Sequence, residues 1–244
     1  MSPDVPHSIS PSTPPERWPT VDILGVRIHN LTRAELLRQL DRGAVFTPNV
    51  DFIMKMQSDP VFHAVFHQAE FRVCDSRIVQ LASRWLGTPI LECIPGSDFF
   101  GAFCAHHAAN PDIRVFLLGA APGVAEQARR NVNARIGREM IVAAHSPSYG
   151  FEHDEVECRA IVDAVNASGA TVLAVGVGAP KQEHWIMRWR AQMPNVRIQM
   201  GIGATLDFEA GVLARAPRWM NRAGLEWAFR LWREPRRLWK RYLV

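Results

Sequence analysis

In the second half of the chain, apolar residues fall in short unbroken runs separated by longer stretches of helical spacing. Arg114–Leu118, Met140–Ala144, Thr171–Val175 and Val196–Met200 read as strands. Val124–Ile136, Glu155–Val165 and Pro180–Trp189 read as the helices between them, the last with proline at its first position. A strand that is apolar at nearly every position is buried on both faces, which is the habit of parallel sheets. Strand and helix in alternation therefore predict an α/β fold, a Rossmann-like parallel sheet flanked by helices.

The first half is less regular. Val21–Ile28 has two short apolar stretches around Gly25 and predicts a hairpin or a bent strand. Thr32 and Glu35 have capping-box spacing, so a helix should run to about Asp41. Ala44–Phe46 reads as a buried strand ending at Thr47-Pro48-Asn49, with helical patterns from there to about Glu70. Phe71–Cys74 is a further short strand, ending at Asp75. Helices are expected over about Ile78–Leu86 and, with Ser97 as its cap, to about Ala109.

Both ends depart from this pattern. Residues 1–20 hold six prolines among serines and threonines and predict a disordered leader, because little there can be buried. Residues 21–212 form the α/β core. Residues 213–244 return to helical spacing, carry Trp219, Trp227, Trp232 and Trp239, and are divided by Pro217 and Pro235 into short helices. They read as an Arg/Trp-rich helical appendage.

Composition narrows the choice. An apolar fraction of 48% in 244 residues supports one sizeable core. No apolar run reaches the roughly 18 residues of a membrane span, and the first residues lack the apolar stretch of a signal peptide. A cytoplasmic protein is expected. Cys74, Cys93, Cys104 and Cys158 are widely spaced and read as reduced thiols. The histidines show no metal-site spacing beyond His63 and His67, which lack a visible third ligand, so neither a metal nor another cofactor is expected. Charge is distributed unevenly. The chain has a net charge of +4, yet nine basic and only two acidic residues fall after Leu213. A basic tail on a mildly acidic body points to an anionic partner.

Ligands of parallel α/β sheets sit at the carboxyl ends of the strands, so the residues just beyond each strand are the candidates for chemistry. Gly119, Pro122 and Gly123 open a helix and could admit a phosphate, as could many turns of this kind. The block from Gly176 through Gly178 to Lys181, Gln182 and Glu183 offers glycines and polar side chains at a helix start. It suits a sugar or phosphate, or is simply a tight turn with an N-terminal helix charge. Asp75 stands at a strand end behind apolar Val73 and Cys74. It is either a general base or a helix cap. In the tail, Arg215, Arg218, Arg222, Arg230, Arg233 and Arg237 recur at helical intervals. Such a face suits a diphosphate, an anionic membrane with tryptophans at headgroup level, or a nucleic acid.

Thr47-Pro48-Asn49, the Gly176–Glu183 block, Gly201–Arg215 and the tail from Pro217 to Arg237 together resemble the WecG/TagA/CpsF glycosyltransferases, from about Val21 to the C-terminus. The resemblance implies a metal-independent, inverting transferase that moves a sugar from a UDP-sugar to an undecaprenyl-diphosphate-linked acceptor, in exopolysaccharide or cell-envelope polymer synthesis. By the family pattern, Asp75 is the general base, Thr47 and Asn49 line the pocket, and Gly178, Gln182 and Glu183 serve the donor. The arginine-rich tail covers the pocket, holds the acceptor diphosphate and docks on the inner face of the cell membrane. No nucleic acid is then expected, while self-association through the apolar tail is. Two positions depart from the pattern. Ser76 and Arg77 follow Asp75 where the family has glycine, and Cys93 stands where it has an arginine before Gly96-Ser97-Asp98. Arg77 is the candidate to supply the missing pocket charge. These departures keep a rival open: a non-catalytic protein that binds a nucleotide or a lipid-linked sugar on the same fold. A nucleotide-dependent oxidoreductase is disfavoured because G-x-G-x-x-G is missing.

Overall fold

A computed structural model describes residues 17–214 and Phe229. The leader up to residue 16 and the tail arginines Arg215, Arg218, Arg222, Arg230, Arg233 and Arg237 lie outside the described residues, as does the expected helical appendage. The chain opens with an antiparallel hairpin, β1 (Thr20–Ile23) and β2 (Val26–His29). Leu24 and Gly25 both have positive φ, the turn geometry that matches the twist of a two-residue hairpin. Thr20 already pairs with His29, and Trp18 stacks on Phe71 at 6.0 Å, so packing begins slightly ahead of Val21.

The body is a six-stranded, all-parallel sheet in the order β4-β3-β8-β7-β5-β6. Its strands are β3 (Gly43–Phe46), β4 (Phe71–Arg72), β5 (Val115–Gly119), β6 (Ile141–His145), β7 (Val172–Gly176) and β8 (Ile198–Gly201). The helices are α1 (Arg33–Gln39), α2 (Val50–Ser58), α3 (Pro60–His67), α4 (Arg77–Trp85), α5 (Gly96–His106), α6 (Val124–Ile136), α7 (Glu155–Ala167), α8 (Lys181–Trp189) and α9 (Thr205–Glu209). Among the described residues no helix is long and apolar enough to cross a membrane.

Side chains alternate between the sheet faces and build two apolar layers. Phe46, Phe116, Leu118, Leu173 and Val175 meet α2, α3, α7 and α8 on one face. Val45, Leu117, Val172, Ala174 and Met200 meet α1, α5, α6 and α9 on the other. A fully buried phenylalanine such as Phe62 or Phe66 contributes about 1.5–3 kcal/mol, so the two layers hold the sheet as one unit.

Local chemistry sets the helix starts. Thr32 and Glu35 form the expected capping box on α1, with Glu35 returning to the Thr32 amide at 2.8 Å. The long helical stretch after Asn49 is broken in two because Asp59 caps α3 and Pro60 cannot continue α2. Ser97 is not a cap: Pro95 holds that position without a side-chain bond, and α5 ends at His106 rather than near Ala109. Pro180 lies just ahead of the first turn of α8, one place earlier than expected. Arg72, buried at the start of the sheet edge, donates to the carbonyls of His67, Ala69 and Arg27 and so ties the hairpin to α3.

Candidate active site

β3 and β4 leave the centre of the sheet in one direction, while β7, β5 and β6 are built in the other. A crevice opens where the direction changes, beyond the carboxyl ends of β3, β8 and β7. It holds a cavity of about 770 Å³. Thr47, Asn49, Asp75, Lys181 and the glycine loops after β7 and β8 reach its wall.

Asp75 lines the cavity, half-buried, with its amide donating to the Pro48 carbonyl at 2.9 Å. That bond joins the loop after β3 to the loop after β4 and places Thr47, Asn49 and Asp75 on one side of the cavity. The Cys74 carbonyl accepts from the Ile94 amide at 2.6 Å, which fixes the segment from behind. The helix-cap alternative for Asp75 is removed: Ser76 caps α4, its hydroxyl accepting from the Val79 amide at 3.3 Å. Asn49 does cap α2, with Oδ1 accepting from the Phe52 amide at 3.1 Å, so only the rest of its amide is left for a ligand. Thr47 is nearly buried, and a Cβ on Gly96 would lie 3.1 Å from its hydroxyl; the glycine keeps that hydroxyl in place.

The opposite wall is backbone. Gly178, with φ of +88°, has open space where a side chain would stand. Gln182 is 3% exposed and spends most of its amide on the protein. Its Oε1 accepts from the amides of Gly178 at 3.2 Å and Gly203 at 3.1 Å, and its Nε2 donates to Glu183 at 2.6 Å. It shapes this wall by holding two strand-end loops together, with one amide hydrogen left over. Glu183 stands back from the cavity. It is wholly buried and outside the cavity wall, so it serves the pocket only through Gln182. Its burial pushes the carboxyl up to about 7, against the opposing pull of the Gln182 bond.

Arg77 and Cys93 are also placed elsewhere. Neither reaches the cavity wall. Arg77 is exposed and turns along its own helix to donate to Gln80 at 2.8 Å. Cys93 lies against the Cys74 thiol; that hydrogen bond and burial raise its pKa. His63 and His67 spend their ring nitrogens on Gly25, His63 and Arg27, because the pair stitches the hairpin turn to α3. Among the described residues no group of three or more histidines, cysteines or carboxylates is placed to hold a metal.

Three wall residues lie within or beside sequence blocks already noted but were given no role of their own. Lys181 is the one cation on the wall among the described residues; it pairs with Glu152 and lies 5.1 Å from the centre of the exposed Tyr149 ring. Its place in the block after Gly178 is the signal that could have found it. Ala120 has φ of +59°, a strained value for a residue with a side chain, at the head of β5 where Gly119 sits against the Gly176 backbone. Asp207, on the short helix α9, adds a further carboxylate to the wall.

The sequence profile of the glycosyl transferase WecG/TagA/CpsF family matches residues 21–244. Two curated proteins similar to the chain are the N-acetylglucosaminyldiphosphoundecaprenol N-acetyl-beta-D-mannosaminyltransferases of Staphylococcus aureus strains MRSA252 and NCTC 8325. Each is 28% identical over 223 residues, covering 86% of this chain and 83% of the relative.

Proposed function

Because the chain belongs to the WecG/TagA/CpsF glycosyl transferases, we propose that it moves a sugar from a UDP-sugar to a sugar carried on undecaprenyl diphosphate. The product would be an early intermediate of an exopolysaccharide or another cell-envelope polymer. The names of the staphylococcal relatives support an acceptor of this kind. The observation that carries the mechanism is Asp75 on the wall of the same cavity as the glycine loops after β7 and β8.

In this reading the transfer is a single inverting displacement. Asp75 accepts the proton of the acceptor hydroxyl as that oxygen attacks the anomeric carbon. The bond from that carbon to the UDP oxygen breaks on the opposite face, and UDP leaves with the electron pair. Its charge is met by Lys181, by the N-termini of α6 and α8 and by the arginines of residues 213–244, without a metal. Thr47 and Asn49 orient the acceptor side; Gly178 and the loops tied by Gln182 form the donor side. Residues 213–244 form an appendage that binds the acceptor diphosphate and the inner face of the cell membrane.

The test is UDP release by the purified chain, offered a panel of UDP-sugars and a short-chain prenyl-diphosphate-sugar acceptor. Acceptor-dependent release from one donor is expected, reduced about 10²–10⁴-fold in Asp75→Asn. Undiminished release by the variant would remove Asp75 from the chemistry. UDP binding without release from any donor would favour the rival reading, a non-catalytic binder of nucleotide or lipid-linked sugar. Cys93 is the observation behind that rival, since it replaces the family's arginine and does not reach the wall.

A further inference from the structure

α4 turns two polar side chains inward. Beside Val79, which packs into the core, Gln80 and Ser83 are buried, Ser83 completely. They are held by specific bonds. Gln80 Nε2 donates to the carbonyls of Ile90 and Leu91, each at 3.2 Å, and the Ser83 hydroxyl accepts from the Ile90 amide at 2.9 Å. The outward side is apolar. Ile78, Leu81 and Trp85 lie three and four residues apart on one stripe, and Trp85 is 91% exposed. Leu86 and Leu91 extend the exposed apolar area beyond the end of the helix. Gln80 and Ser83 take inward positions, and the apolar side chains left outward form an exposed patch of the kind that marks an interaction site.

The charges on α4 select the partner. Arg77 and Arg84 are exposed along one flank of the stripe, and Arg77–Trp85 contains no acid. Two copies meeting on this face with their α4 helices antiparallel about a two-fold axis would bring arginines against arginines. An anionic phospholipid surface instead takes the arginines at its headgroups and Trp85 at the boundary below them, with Ile78 and Leu81 reaching the acyl chains. The position has a use as well. α4 begins two residues after Asp75, so a bilayer against it would lie near a segment that lines the crevice.

We propose that the outward face of α4 is a lipid-docking surface of this protein, separate from the basic tail, which inserts into an anionic bilayer beside Asp75. The proposal deepens the transferase reading, since it rests on an acceptor held in a membrane. Vesicle binding is read without any sugar transfer, so failure of one idea is distinguishable from failure of the other.

The experiment uses the full chain with vesicles of phosphatidylglycerol and phosphatidylethanolamine, and neutral phosphatidylcholine vesicles as reference. Leu81→Gln combined with Trp85→Gln changes only exposed side chains. It is expected to lower partition onto the anionic vesicles about tenfold. The melting temperature and turnover of a short-chain, water-soluble acceptor should be unchanged. In parallel, Leu81→Cys carrying an environment-sensitive fluorophore should shift to the blue when anionic vesicles are added. A fluorophore at 81 that does not respond while the protein binds vesicles would overturn the proposal, whatever the tail contributes. So would an unchanged partition of the double variant accompanied by loss of an oligomer in light scattering, which would assign the face to a second copy.

Discussion

Substituting Glu183 by glutamine separates the electrostatic cost of the site's buried carboxyl from its shape. Glu183 is fully buried; one oxygen accepts from Gln182 and the other has no hydrogen-bond partner. Burial raises its pKa from 4.5 to about 7. The folded chain therefore keeps a proton that the unfolded chain has released between these two values. Stability must fall as pH rises through that window, by about 1.4 kcal/mol per unit and about 3 kcal/mol in all. Below pH 4.5 the penalty is absent; above pH 7 it is complete. Glu183→Gln keeps the acceptor for Gln182 and cannot ionise, but buries an amide group without a partner at a cost of about 1–3 kcal/mol that does not vary with pH. Urea unfolding of both proteins from pH 5 to pH 8 measures the difference, and groups common to both cancel. Wild type should be the more stable at pH 5, and the gap should close or reverse by pH 8. Parallel stability curves would show that Glu183 does not carry the proton, and the argument from burial would fail.

Gly119→Ala places a Cβ 2.5 Å from the Gly176 carbonyl oxygen at a φ of +134°. Neither backbone can yield cheaply, so a loss of about 2 kcal/mol is expected, seen in calorimetry as a melting temperature lower by about 4–8 °C; an unchanged melt would refute the close contact. Removal of residues 213–244 should abolish transfer and lower binding to anionic vesicles at least about tenfold while the core melts as before. Full vesicle binding by the truncated chain would refute the assignment of the tail to the membrane.

The parallel sheet was legible because continuous apolar runs leave few alternatives, yet β5, β6, β7 and β8 each begin and end one or two residues later than read. Their last pairs explain this. Gly119 pairs with Gly176 and Val175 with Gly201, so glycines that look like the start of a turn still belong to the ladder. The same glycines bring the backbones close enough for the crevice to form. Asp75 and the glycine loops could be placed from the sequence because strand ends are where such sheets bind ligands. The division of labour between Gln182 and Glu183 could not, since adjacent residues of one helix give no hint of which is sealed beneath a neighbouring strand. Helical spacing located α4, but an apolar stripe does not reveal that Gln80 and Ser83 are buried on the other side with Val79. That outcome depends on Gln80 and Ser83 finding the backbone of residues 90–91, a tertiary contact with no local signature.

The charges on the cavity wall give the tail a reason to exist. Among the described residues the wall carries Asp75, Glu152 and Asp207 but only one cation, Lys181, and that cation is shared with Glu152. A diphosphate brought into such a wall meets more negative than positive charge, and helix N-termini return only about half a charge each. In the proposed reaction a carboxylate at Asp75 is still needed, because the group that takes a proton from the hydroxyl cannot be a cation. The proposed reaction thus needs positive charge delivered from outside the sheet, close to the leaving UDP and clear of the attacking hydroxyl. Residues 213–244 carry nine basic side chains, and we propose that they supply it. On this argument the acceptor and the tail would enter together, and a tail-less core would lose donor affinity as well as its membrane.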